Sequence, residues 1–78
     1  MQIFRLTGVC WHEGEAVVSK CPELSVASCG DSVEEAMTNL REAVELYLEN
    51  ARDLGLLEDL PPVGTEVRFT TQFEVALA

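Results

Sequence analysis

Three cysteines and one histidine are the residues of this sequence best suited to covalent or metal chemistry, and their spacing supports neither. Cys10, Cys21 and Cys29 form no C-x-x-C pair, and His12 cannot complete a zinc set with them. Cys29 precedes a predicted helix N-terminus, which can activate a thiol, but a small residue on a half-buried strand is the favoured explanation. We therefore expect reduced thiols, no metal, no cofactor, no catalytic residue and no enzyme activity.

Acidic side chains are concentrated in one segment. The 78-residue chain has 14 Asp and Glu against five Lys and Arg, a net charge of −9, which disfavours direct binding to nucleic acid or to anionic membranes. A helical wheel places six acids on one side of the segment: Glu34, Glu35, Glu42, Glu45, Glu49 and Asp53. This acidic face is either a solvated surface or a partner-binding surface. All six of these charges are negative, and neighbours at i, i+3 and i, i+4 repel one another. This arrangement favours a cationic partner.

A long amphipathic helix must carry these acids. Ser32 followed by Glu35 is a capping box, and Gly55 suits a helix end. The sequence predicts a helix over about residues 33–54. Its predicted core stripe consists of Val33, Ala36, Met37, Leu40, Ala43, Val44, Tyr47, Ala51 and Leu54.

The rest of the chain has the pattern of strands. Residues 2–13 and 16–19 flank Gly14 as a hairpin, and residues 24–29 follow Pro22 as a third strand. Beyond a connection that contains two prolines, apolar residues alternate over residues 66–77 and predict a fourth strand. The right-handed crossover rule makes that strand parallel to the first, in the sheet order 3-2-1-4.

This order predicts a single α/β (α+β) domain over residues 1–78, with two layers in the order β-β-β-α-β. The four-stranded mixed sheet carries its long helix on one face. One helix cannot cover both faces of the sheet, so we expect a dimer or tetramer. The alternative is a monomer whose second sheet face is exposed to solvent. The expected oligomer interface is Ile3, Val9, Trp11 and Leu46. Because the sequence has no secretory signal and no long apolar run, we expect a cytoplasmic protein.

Three stretches together resemble the HicB-like antitoxin family. They are Cys-Pro-Glu-Leu at 21–24, Ser-Cys-Gly-Asp-Ser-Val-Glu-Glu-Ala at 28–36, and Asn-Leu-Arg-Glu-Ala-Val-Glu-Leu-Tyr-Leu-Glu at 39–49, preceded by a hairpin like the one at 13–19. The resemblance implies a partial ribonuclease-H-like sheet. It also implies a protein that neutralises HicA, a small basic mRNA-cleaving toxin, by direct protein-protein binding.

The sequence departs from the family at several points. Cys29 stands where relatives often have Gln, and Ser25 where they often have Gly. Many relatives continue into a DNA-binding segment, which we do not expect here because the sequence ends with its predicted fourth strand. Short relatives also occur without a known toxin, so a stand-alone acidic oligomeric interaction domain is the alternative function. A ribonuclease-H-like nuclease is not expected, because residues 3–12 contain no carboxylate to hold two metals.

Overall fold

A three-stranded sheet and one long helix are the regular elements of the part of the chain that the structure describes. The computed structural model describes residues 3–57 and 71–78. Within them the elements are β1 (Val9–Glu13), β2 (Ala16–Cys21), β3 (Val26–Gly30) and α1 (Val33–Asp53). The strands are antiparallel in the order β1-β2-β3, and α1 packs on one face of the sheet, mainly over β3 and β2. The predicted α+β architecture of a sheet with one long helix is confirmed to this extent.

Two turns set the register of the strands. Gly14 has a φ of 65° in the turn that pairs Glu13 with Ala16, a conformation that glycine adopts without steric cost. Ser25 precedes β3 with a φ of 56°. The turn therefore has the left-handed backbone that glycine would favour at this position, and the serine bears the strain, which is roughly 1–2 kcal/mol for a non-glycine residue.

The helix begins where the sequence predicts. Ser32 is the N-cap, and its Oγ accepts a hydrogen bond from the Glu35 amide at 3.1 Å. The Glu35 carboxylate accepts from the Asp31 amide at 3.2 Å, so the predicted return bond of the capping box reaches one residue earlier than Ser32. The helix ends at Asp53, one residue before the predicted end, and Gly55 follows with a φ of 72°.

Only part of the predicted core stripe is buried. Ala36, Leu40 and Ala51 are buried, and Val44 packs against the core cluster. The stripe residues that are instead exposed are Val33, Met37, Tyr47 and Leu54. Strand and helix lengths explain the exposure of Tyr47 and Leu54 near the C-terminal end. A 21-residue helix is about 31 Å long, whereas strands of five or six residues span roughly 17–20 Å. The sheet therefore cannot cover the whole helix, and the C-terminal part of α1 extends beyond it.

The fourth strand and the mixed order 3-2-1-4 do not form in the part of the chain that the structure describes. Residues 71–78 have no regular secondary structure and are all exposed, and the earlier part of the predicted strand, 66–70, lies outside the described residues. β1 also begins at Val9 rather than near residue 2, so residues 3–8 form no strand. Alternation gives strand propensity, but a strand forms only where a neighbour pairs with it.

Candidate interaction surfaces

Side-chain hydrogen bonds and a close glycine contact fix the N-terminal half of α1 on the sheet. The buried Ser19 hydroxyl on β2 donates to the Ala36 carbonyl at 2.8 Å. Asn39 Nδ2 donates to the Cys29 carbonyl of β3 at 2.8 Å. At Gly30, a Cβ atom would lie 2.7 Å from the Ala36 amide nitrogen. The helix backbone thus lies closer to β3 than any side chain at Gly30 would allow.

The acidic face lies on the solvent side of this fixed helix. All six predicted partner-binding residues are exposed: Glu34, Glu35, Glu42, Glu45, Glu49 and Asp53. Glu35 serves the N-cap, and Asp53 lies 3.8 Å from the Arg52 guanidinium, an exposed pair that contributes little to stability. Glu42, Glu45 and Glu49 follow one another at intervals of three and four, so they are neighbours on successive turns.

The predicted oligomer interface is divided between two surfaces. Trp11 lies opposite Val18 in the register of β1 with β2. Because the buried Val17 and Ser19 face α1, strand alternation puts Val18 and Trp11 on the helix-free face. Val9 shares this face with Trp11.

Leu46 lies on α1, which is on the other side of the sheet from Trp11, and it is exposed. Ile3, also exposed, belongs to the irregular segment before β1. The structure therefore brings Val9 and Trp11 together and separates both from Leu46.

A groove that the sequence reasoning missed runs between residues 4–8 and α1. Its volume is about 610 Å³. Its apolar lining is formed by Phe4, Leu6, Met37, Leu40, Val44 and Leu48, with Arg41 and Glu45 among its polar residues. The groove was missed because the sequence pattern assigned residues 3–8 to a paired strand. The apolar character of Phe4 and Leu6 was the available signal. Because Glu45 also belongs to the acidic face, the groove and that face adjoin.

The Glu23 carboxylate holds one wall of this groove. It accepts hydrogen bonds from the Thr7 amide at 3.0 Å and the Thr7 hydroxyl at 2.8 Å, which ties the N-terminal segment to the turn before β3. The Cys21 thiol lies 3.7 Å from the same carboxylate. Burial, and secondarily the negative charge of Glu23, raise the pKa of the Cys21 thiol. A protonated thiol is a poor nucleophile, so Cys21 acts here as a core residue.

The described parts of the chain contain no group of three or more His, Cys, Asp or Glu side chains that could hold a metal ion. Cys10, Cys21 and Cys29 are free thiols. In residues 3–57 and 71–78 we find no helix with the length and apolar character needed to cross a membrane.

Comparison with known proteins identifies no relative. The chain matches no family model, no curated protein and no solved structure. The surfaces described above therefore carry the functional interpretation.

Proposed function

We propose that this protein is a HicB-like antitoxin, or a binding protein derived from one, that neutralises a small basic HicA-like mRNA-cleaving toxin by direct protein-protein binding. The observation that carries the proposal is the acidic face of α1. Its acids are exposed on a helix that Ser19, Gly30 and Asn39 fix to the sheet. A rigid surface of one sign is what a cationic protein partner requires.

The charge arrangement supports a role in association rather than in folding. Repulsion between Glu42, Glu45 and Glu49 costs a few tenths of a kcal/mol per neighbouring pair, and none of them packs in the core. Clustered charge accelerates encounter with an oppositely charged protein by roughly 10- to 1000-fold at low salt. A surface that lowers helix stability but accelerates encounter fits a partner-binding function.

Affinity would come from apolar contacts beside the acids. Leu46, Tyr47 and Leu54 are exposed near the C-terminal end of α1, and large apolar and aromatic side chains supply most binding energy at the centre of an interface. The same helix thus carries charges that accelerate association and apolar side chains that slow dissociation.

The same proposal includes a cytoplasmic protein that acts without catalysis, cofactor, metal or direct nucleic-acid contact. It also includes a fold completed to the partial ribonuclease-H-like form, with residues 66–77, from the same chain or from a second copy, as the fourth strand. We further propose self-association as a dimer or tetramer, with Val9 and Trp11 contributing to the interface.

A stand-alone acidic oligomeric domain without a toxin is the second candidate. The helix-free face of the sheet favours it, because Val9, Trp11 and Val18 form an apolar patch on that face that self-association alone would cover. In this case the acidic face only keeps the oligomer soluble.

Purification of the tagged protein from its source cells distinguishes the two functions. For the antitoxin we expect a small basic protein to copurify in a fixed ratio, and to cleave RNA once it is separated from this chain by denaturation and refolded. Adding the chain back should stop the cleavage. Recovery of this chain alone at an oligomeric mass, with no basic protein, would contradict the antitoxin and support the stand-alone domain.

A further inference from the structure

This chain has both an open apolar groove and an exposed apolar tail. The groove is lined by Phe4, Leu6, Met37, Leu40, Val44 and Leu48. The tail is residues 71–78, in which Phe73, Val75 and Leu77 are 84 %, 72 % and 93 % exposed. Exposed apolar area of this kind normally marks an interaction site.

The pattern of the tail matches the form of the groove. Phe73, Val75 and Leu77 are spaced by two, so an extended tail presents all three on one side and Gln72, Glu74 and Ala76 on the other. The open groove has apolar walls, so it can accept such a strand with Phe73, Val75 and Leu77 inward and the other side toward solvent. The groove also lies next to residues 3–8, whose backbone is in no strand, and β1 is an edge strand with β2 as its neighbour in the sheet. The tail could therefore gain backbone hydrogen bonds as well as apolar burial.

We propose that the groove binds the tail of a second copy of this chain, so that two copies exchange residues 71–78. This inference rests on the self-association included in the proposed function, and it names the surfaces involved. In the conformation that the structure describes, the tail is wholly exposed and the groove is open, so each copy can insert its tail into the groove of the other. A two-fold pair satisfies both surfaces in both copies and leaves no unmatched site to propagate a filament.

The tail provides the first test because it is exposed and outside the core. Analytical ultracentrifugation should give a dimer for the wild type, twice the 8.6 kDa of one chain. The Phe73→Asp, Val75→Asp variant should be monomeric, with unchanged helix content by circular dichroism. Its matched control, Gln72→Asp with Ala76→Asp, adds the same charge to the polar side of the tail and should remain dimeric.

The groove provides the complementary test. Met37→Asp should also be monomeric. If its circular dichroism shows unfolding, Phe4→Asp tests the same groove from the irregular segment. Mixing the folded groove variant with the tail variant should restore a dimer, because the pair still contains one intact groove and one intact tail from different chains. Tail docking within one chain cannot produce this rescue.

Either of two other outcomes would contradict the exchange of tails between copies. A monomeric wild type whose tail resists proteolysis would show that the groove binds the tail of its own chain, and would also remove the self-association of the proposed function. A wild-type dimer that the tail and groove variants do not disturb would preserve self-association and place it on another surface, such as the patch around Trp11.

Discussion

The two halves of α1 belong to one continuous helix but have different surroundings. In the N-terminal half, Ala36 and Leu40 are buried, and the Ser19 and Asn39 side chains bond this half to the sheet. In the C-terminal half, Leu46 and Tyr47 are exposed although they are large and apolar. Helical spacing does not explain the exposure of Tyr47, which lies on the predicted core stripe, whereas Leu46 lies outside that stripe.

The difference shows that helical spacing alone does not determine which apolar residues become core. In the half of α1 that packs over β2 and β3, Ala36 and Leu40 are buried, whereas Val33 in the first turn and Met37 at the groove are exposed. Near the C-terminal end Ala51 is buried, but Leu46, Tyr47 and Leu54 form an exposed surface available to a partner or a second copy. The N-terminal half therefore fixes the helix to the sheet, and we propose that exposed residues of the C-terminal half contribute to partner binding.

The largest expected effect compares two leucines of the same helix. Leu40 is 3 % exposed and Leu46 is 59 % exposed. Leu40→Ala should lower the free energy of unfolding by about 2–5 kcal/mol through lost burial and a cavity, whereas Leu46→Ala should change it by less than about 0.5 kcal/mol. Urea denaturation at fixed protein concentration measures both. Equal losses would show that Leu46 also contributes to the core.

The close approach of helix and sheet gives the next largest effect. Gly30→Ala should cost about 1–3 kcal/mol, because its Cβ would meet the Ala36 backbone, which cannot move without shifting the helix. Gly8→Ala is the matched control. Its Cβ would meet the Sδ and Cε atoms of Met37, at the end of a flexible side chain that can rotate away. The same denaturation experiment should rank Gly30→Ala well below Gly8→Ala in stability, and the reverse ranking would contradict the close approach of helix and sheet at Gly30.

A smaller loss is expected at the buried serine. Ser19→Ala removes the hydrogen bond to the Ala36 carbonyl and should cost about 1 kcal/mol. Ser28→Ala alters the residue paired with Ser19 across β2 and β3 but leaves that bond in place, so its effect should be smaller. If the two variants lost equal stability in thermal denaturation, the Ser19 bond would have no special part in fixing α1.

The smallest effect concerns pH and the buried thiol. Burial raises the pKa of Cys21, whereas in the unfolded chain a thiol ionises near about pH 8.5. Below that pH the thiol is protonated in both states, and its contribution to stability is fully present. As the pH rises toward the higher pKa of the folded state, the unfolded state loses its proton first, so the free energy of unfolding should fall.

Denaturation midpoints between about pH 8 and pH 10 check this thiol effect. Cys21→Ala should have a shallower decline than the wild type, and Cys29→Ala, which alters an exposed thiol, should keep the wild-type decline. A decline that Cys21→Ala leaves unchanged would exclude this thiol as its source.

The sequence predicted the elements with strong local signals. The capping residues Ser32 and Glu35 and the hairpin turn at Gly14 depend on neighbours a few residues away, so the helix start and the hairpin turn could be located, whereas the start of β1 at Val9 could not. The interaction surfaces depend on distant contacts. Tyr47 and Leu54 have the helical spacing of core residues, yet both are exposed, and strands of five or six residues are too short to cover the whole helix. The groove was equally impossible to predict from the sequence, because it exists only where residues 3–8 and α1 face each other without a strand between them.

The acidic face could be identified from the sequence because a helical wheel is sufficient to place charged residues on one side of a helix. Its exposure was a direct consequence of that placement, and the structure confirms it for all six acids. Its adjacency to the groove through Glu45 was not predictable, since it depends on which flank of α1 meets the N-terminal segment. Binding of a basic partner by this face stays a prediction.

The association rate with the basic partner tests the central claim most directly. Glu42→Gln, Glu45→Gln, Glu49→Gln removes three charges from the acidic face. Glu13→Gln, Glu15→Gln, Glu74→Gln, the matched control, removes three exposed acids elsewhere. With the copurified basic protein in stopped flow at about 0.1 M salt, the helix variant should associate roughly tenfold more slowly than the wild type. The control should associate nearly as fast as the wild type, and the differences should vanish at about 1 M salt, where screening shortens to about 3 Å. Equal rates for both variants at low salt would show that net charge alone acts, and that the acidic face of α1 is only a solvated surface.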